Sequence, residues 1–136
     1  MNVQVRLAGY LEQGGIVYQL SDSEMHNARQ HRWAEPLAQQ LRRSLHAGLS
    51  EMAPPNGGQL TVQLSQFQGV RSLAGDRAII RGVWQYNAGG AVTRTGQIDW
   101  QGPLTGDGYA GLVETLDQGW QDVAHRITAA LHTDGS

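Results

Sequence analysis

The chain has 136 residues, long enough for one domain with a single buried core. Hydrophobic residues make up 40% of it and charged residues 16%, which excludes a disordered chain and a coiled coil. A net charge of −2, with no basic half or tail, argues against general nucleic-acid binding. Lys is absent, which removes Schiff-base and P-loop lysine chemistry, and Cys is absent, which removes disulfides, thiolate catalysis and Cys-based metal sites.

Val3, Val5 and Leu7 alternate with Gln4, Arg6 and Ala8, the period of a half-buried strand. GYLEQGG breaks the pattern, IVYQL (16–20) reads as a second strand, and EMHNA (24–28) as its short hairpin partner across SDS. From Trp33 the period changes. Trp33, Leu37, Leu41, Leu45 and Leu49 recur every four residues with Ala34, Ala38 and Met52 alongside, which predicts an amphipathic helix beginning at the tryptophan. Pro36 is tolerable near such a start, where its missing N–H has no intrahelical partner, and APPNGG ends the helix.

QLTVQLSQF returns to period two through Leu60, Val62 and Leu64, then slips near Phe67 as at a bulge. RAIIRGVWQY (77–86) is apolar on both faces, as in a central strand; NAGG (87–90) is a turn and VTRTGQIDW (92–100) the returning strand. Tyr109, Leu112, Val113, Leu116, Trp120, Val123, Ile127 and Leu131 form the cleanest helical stripe in the chain. The last three strands, joined by short turns, must be antiparallel neighbours, and two amphipathic helices need one apolar sheet face. The expected fold is α+β: an antiparallel β-sheet with two amphipathic helices packed on one face, in a single domain over residues 1–136.

The residues supply little that reads as catalysis. His26 and His31 are five apart across a strand-to-helix junction, His125 and His132 seven apart on the last helix, and neither spacing matches a helical zinc pair. GPLTGDG (102–108) lacks the endings of a P-loop or dinucleotide site, so Asp107 is better read as the N-cap of the last helix. Asp122 and His125 lie three apart on the polar side of their helix, with no nucleophile beside them. No enzyme, metal or cofactor is expected. Charge is unevenly placed, with four Arg and one Glu between His26 and His46, and five acids without Arg between Asp99 and Asp122. Such asymmetry suits partner binding or head-to-tail self-association, and the plainer account is two solvated helix faces. His31, Arg32 and Arg43 are the partner-contact candidates, Arg32 and Arg43 sharing a helical face, while Trp33, Asp107 and Trp120 are structural anchors.

YLEQGGIVYQLSDSEMHNARQHRWAEPLAQQLRRSL, VWQY and GDGYAGLVETLDQGWQDVAHRI stand in this order from Val3 to Ile127. In them the chain resembles the ABC-type transport auxiliary lipoproteins of the paraquat-inducible protein C (PqiC) group, most specifically in GIVYQ, RWAEPL and QQLR. The resemblance implies a small antiparallel sheet with two helices and a non-enzymatic periplasmic component anchored in the outer membrane by a lipidated cysteine. It also implies work beside an MCE-domain (mammalian cell entry) protein and an ABC transporter, moving lipids or other hydrophobic molecules between the membranes, as a ring-like homo-oligomer. The sequence departs from the group in three ways: no signal peptide or lipobox cysteine precedes Asn2, an earlier Tyr-rich strand is missing, and APPNGG is short. The expectation is that anchor and strand lie upstream, and that losing the strand leaves a sheet edge exposed. The alternative is a soluble lipid-binding domain holding an acyl chain between sheet and helices, which requires a lined pocket of about 300 Å³ or more.

Overall fold

Period-two patterning builds six strands and period-four patterning two helices in the computed structural model, which describes residues 2–13, 15–21, 24–33, 35–51, 58–71, 75–88, 91–104 and 108–133. In chain order these are β1 (Asn2–Leu7), a 3₁₀ turn (Gly9–Gln13), β2 (Gly15–Ser21), β3 (Glu24–Arg32), α1 (Leu37–Glu51), β4 (Gln59–Val70), β5 (Arg77–Ala88), β6 (Ala91–Pro103) and α2 (Gly108–Thr133).

The sheet runs β3-β2-β4-β5-β6, with β1 also paired to β4. β4, β5 and β6 form the expected antiparallel meander, with β5 flanked on both sides. β1 and β2 lie end to end along the other edge of β4, and both run parallel to it. The α+β class holds, and the sheet is mixed. The reason is topological: hairpins force antiparallel neighbours, whereas the long connection through α1 lets β4 run alongside β1 and β2 in the same direction.

Two boundaries differ from expectation. β3 extends to Arg32, past the expected end at Ala28, and α1 starts at Leu37 rather than at Trp33. Pro36 is the cause, because its ring drives the preceding residue out of the helical region and so blocks extension through Glu35. The first helical bond is then Gln40 N–H to Pro36 O at 3.1 Å. Trp33 sits between β3 and α1, so its four-residue spacing to Leu37 is not a helical register. Arg32 lies on β3 and Arg43 on α1, so they share no helix face. The Asp107 cap lies outside the described residues.

One face of the sheet carries the core. Val3, Val5, Leu60, Val62, Leu64, Ile80, Trp84 and Ile98 meet Leu37, Leu41 and Leu45 of α1 and Leu112, Leu116, Trp120, Val123 and Ile127 of α2. The anticipated slip in β4 is a bulge between Leu64 and Gln66. It exchanges the faces, so that even-numbered residues point inward before it, and Phe67 and Gly69 after it. Along α2 a side chain at Gly119 would collide with the Trp100 ring, so this glycine sets how closely the helix approaches β6.

Candidate functional site

The sequence places a tryptophan before Pro36 and another in the middle of α2, and the fold brings the two together around Phe67. Trp33 and Phe67 have ring centroids 5.9 Å apart, and Phe67 meets Trp120 edge-on at 6.2 Å. These rings, with Leu37, Leu41, Ala110 and Val113, line a slot of about 230 Å³ between the start of α1 and the first half of α2. Trp120 is its rigid wall: it is 1% exposed, and its indole N–H donates to Leu41 O at 3.2 Å. Trp33 is partly buried and packs against the core from a strand end rather than from a helix.

Three polar residues complete the lining: Gln40, Glu114 and Asp117. Gln40 Oε1 is buried without a hydrogen-bond partner in the protein. Glu114 and Asp117 are exposed on α2, three residues apart and thus on one helix face. The rest of the lining is apolar apart from the Gln40 amide. Sequence reasoning had Trp33 and Trp120 but missed Phe67, Gln40, Glu114 and Asp117. A signal existed for two of these, since Glu114 and Asp117 lie in the acid-rich stretch.

The anticipated contact residues are placed unevenly. His31 and Arg32 end β3, two residues and one residue before Trp33. Arg43 is exposed on α1 and pairs with Glu35 at 2.5 Å, a contact that clamps the turn before the helix. Asp122 and His125 are both exposed on α2, as expected, and Asp122 accepts a hydrogen bond from Trp100 Nε1 at 3.2 Å.

The other face of the sheet is open and polar. Gln4, Arg6, Gln59, Thr61, Gln63, Gln85, Thr95 and Gln97 surround a shallow hollow of about 500 Å³. Val83 lies among them, 47% exposed. At one corner this face is closed: Gln68 is fully buried, its amide hydrogen-bonded with Tyr10 Oη at 2.5 Å and with Gln19 Oε1 at 2.9 Å. Tyr10 Oη also lies 2.5 Å from Ser65 O, its single proton shared between the two acceptors, so the 3₁₀ turn is tied to the bulge. On the helix side of β2, the Tyr18 hydroxyl donates to Asp76 and its ring meets Tyr109 edge-on. Burial, and then the hydrogen bond to Asp76, push the Tyr18 hydroxyl well above its usual value.

Comparison with known proteins places this geometry. The family described as "ABC-type transport auxiliary lipoprotein component" matches residues 3–128. The intermembrane transport lipoprotein PqiC of Escherichia coli is 34% identical over 94% of this chain and 72% of its own length. Its Shigella flexneri counterpart matches equally. A crystal structure of an uncharacterised protein, 32% identical, superposes with a TM-score of 0.83 over 94% of this chain and 88% of its own. A protein from Xanthomonas campestris has the same fold at 12% identity, with a TM-score of 0.83 over 97% of this chain and 84% of its own. The expected resemblance holds over nearly the whole sequence: the chain belongs to the ABC-type transport auxiliary lipoprotein family.

Proposed function

We propose that this protein is a non-enzymatic periplasmic adaptor of an MCE/ABC-type inter-membrane lipid transport system, working on the outer-membrane side. In this reading a lipidated cysteine upstream of Asn2 anchors it, copies assemble into a ring, and the MCE-domain protein of the same system docks on that ring. Family membership supports the transport assignment.

The observation that favours adaptor over lipid carrier is how little enclosed apolar room the described residues leave between sheet and helices. The slot there measures about 230 Å³ and is walled by three aromatic rings, smaller than the ~300 Å³ at which small-molecule pockets begin. The other hollow there, about 400 Å³ between β6 and α2, is rimmed by Gln97, Asp99 and Arg126, which suit water better than an acyl chain. Light scattering of the purified protein, alone and with the MCE-domain protein, tests the reading. The expected result is a multimer whose mass rises on adding the partner. A monomer that leaves the partner's mass unchanged, or one that co-purifies with phospholipid in native mass spectrometry, would refute it.

A further inference from the structure

The sheet ends in one straight edge. β6 runs from Ala91 to Pro103 and keeps its register with β5 unbroken from Arg94 to Pro103, and no strand among the described residues flanks its other side. Three observations fix which backbone groups that side presents. Leu104 N–H donates to Asp76 O in the continuing β5–β6 register, so even-numbered residues of β6 bond to β5 and odd-numbered ones turn outward. Arg126 of α2 reaches the outward Asp99 O at 3.4 Å. Pro103, which has no N–H, stands at an odd position, where β5 offers no acceptor. Thr95, Gln97 and Gln101 therefore carry outward N–H and C=O groups that meet no partner among the described residues. The opposite edge is unlike this one: β3 shifts register twice against β2, an irregularity that blunts an edge against pairing.

A straight outward row selects an extended backbone, because another strand supplies donors and acceptors at the same repeat. The side chains select which strand. Turned antiparallel about Gln97, the middle residue of β6, a second copy of β6 lies along the whole edge. On the open face Thr95 then stands opposite Asp99 of the second copy, a hydroxyl donor against a carboxylate, and Gln97 opposite its own equivalent, an amide that is its own complement. On the helix side Gly96 stands opposite Ile98, small against large. Arg94 stands opposite Trp100, a cation beside an indole whose N–H is already held by Asp122. α2 leaves the seam clear, since a hollow of about 400 Å³ separates it from the edge between Thr95 and Asp99. Moving the axis one residue either way sets Gly96 against Gly96, a gap, or Ile98 against Ile98, a crowd. Moving it to Asp99 opposes two carboxylates.

We propose that β6 is a self-pairing edge, through which two copies of this chain join antiparallel about a two-fold axis at Gln97 into one continuous sheet. Arg126 then yields Asp99 O to the N–H of Thr95 in the second copy. A two-fold seam joins copies in pairs, so in the ring reading a different surface closes the ring and the number of subunits is even. Binding of the MCE-domain protein plays no part in the seam, which stands whether or not the adaptor reading does.

Gln97→Lys and Gln97→Glu test the axis on the whole chain; position 97 is exposed, so both variants retain the fold. In light scattering over a concentration series, each variant alone should dimerise about fivefold more weakly than wild type, because like charges then stand directly opposite. An equal mixture of the two should regain wild-type dimerisation, since opposite charges then meet across the axis. That rescue requires position 97 to face position 97, which a head-to-tail contact does not provide. A wild type that stays monomeric, variants that dimerise like wild type, or weakening that mixing does not rescue would each overturn the proposal. Amide exchange followed by NMR gives a second readout. The Thr95 and Gln97 amides should slow as dimer forms, while those of Gly96 and Ile98, bonded to β5, stay protected at every concentration. Fast exchange at Thr95 and Gln97 in the dimer would place the contact away from this edge and sink the idea.

Discussion

The slot and the open sheet face are two hollows with unlike linings. They lie on opposite sides of one sheet, where alternate residues of a strand face different solvents. The open hollow measures about 500 Å³ and is paved largely with glutamine and threonine. Each long glutamine loses rotamer freedom when a partner immobilises it, and its hydrogen bonds to that partner only replace those to water. The slot, at about 230 Å³, is walled by rings already held by the core. Phe67 and Trp120 are only 2% and 1% exposed, so anything entering the slot would meet chiefly the partly buried Trp33, and side-chain type rather than volume sets what each hollow offers.

The strongest test of this contrast is the pair of tryptophans in the slot. Trp120→Ala removes a ring that is 1% exposed, together with the hydrogen bond to Leu41 O, and should cost about 3–5 kcal/mol in chemical denaturation. Trp33→Ala removes a partly buried ring outside any helix, so about 2 kcal/mol is expected, below the ~3–5 kcal/mol of fully buried large aromatics. The Trp33→Ala protein should therefore fold while losing one slot wall, which makes it the cleaner probe of docking. Equal costs for the two would mean that Trp33 is as much a core residue as Trp120.

A smaller effect is expected where β2 meets the turn before β5. Tyr18→Phe deletes the hydroxyl that donates to Asp76, a loss of about 1 kcal/mol at neutral pH. The folded protein raises the ionisation of Tyr18, through burial first and the Asp76 bond second. Because the folded value lies above the unfolded one, near 10, the neutral hydroxyl's contribution is fully present below pH ~10 and fades as pH rises beyond it. Denaturation midpoints of wild type should accordingly fall above pH ~10, and those of Tyr18→Phe should fall less. Parallel alkaline declines would show that the tyrosine is not the group responsible.

The elements that could be read from sequence are those in which local pattern and tertiary packing agree. The α2 stripe from Leu112 to Leu131 is buried as its spacing requires, and the β5–β6 pairing follows from a tight connection. Trp33 misled because its spacing to Leu37 and Leu41 mimics a helix, while the backbone restriction imposed by Pro36 on Glu35 prevails over side-chain periodicity. The parallel pairing of β1 with β4 joins residues more than fifty apart, Val3 with Leu60, and no local pattern encodes that. The site was legible only in halves: its tryptophans showed in the apolar pattern, and its carboxylates in the charge distribution. Gln40 and Phe67 join them through tertiary contact alone.

The smallest expected change bears most directly on the contrast between the hollows. Val83 is 47% exposed in the middle of the open face, opposite Gln63 on β4 and Gln97 on β6. A β-branched residue suits a strand, but at this exposure it buries little, and replacing it leaves the backbone ladder intact. Val83→Gln makes the centre of the hollow resemble its surroundings and should alter stability by less than about 0.5 kcal/mol, as surface substitutions usually do. If partners dock at the slot, capture of the MCE-domain protein by Val83→Gln should equal that of wild type. If the open face is instead the contact surface, this exposed valine occupies the place of a central anchor, and losing it should weaken capture without affecting the denaturation curve. A variant that is stable but no longer captures the partner would therefore move the docking surface to the opposite side of the sheet.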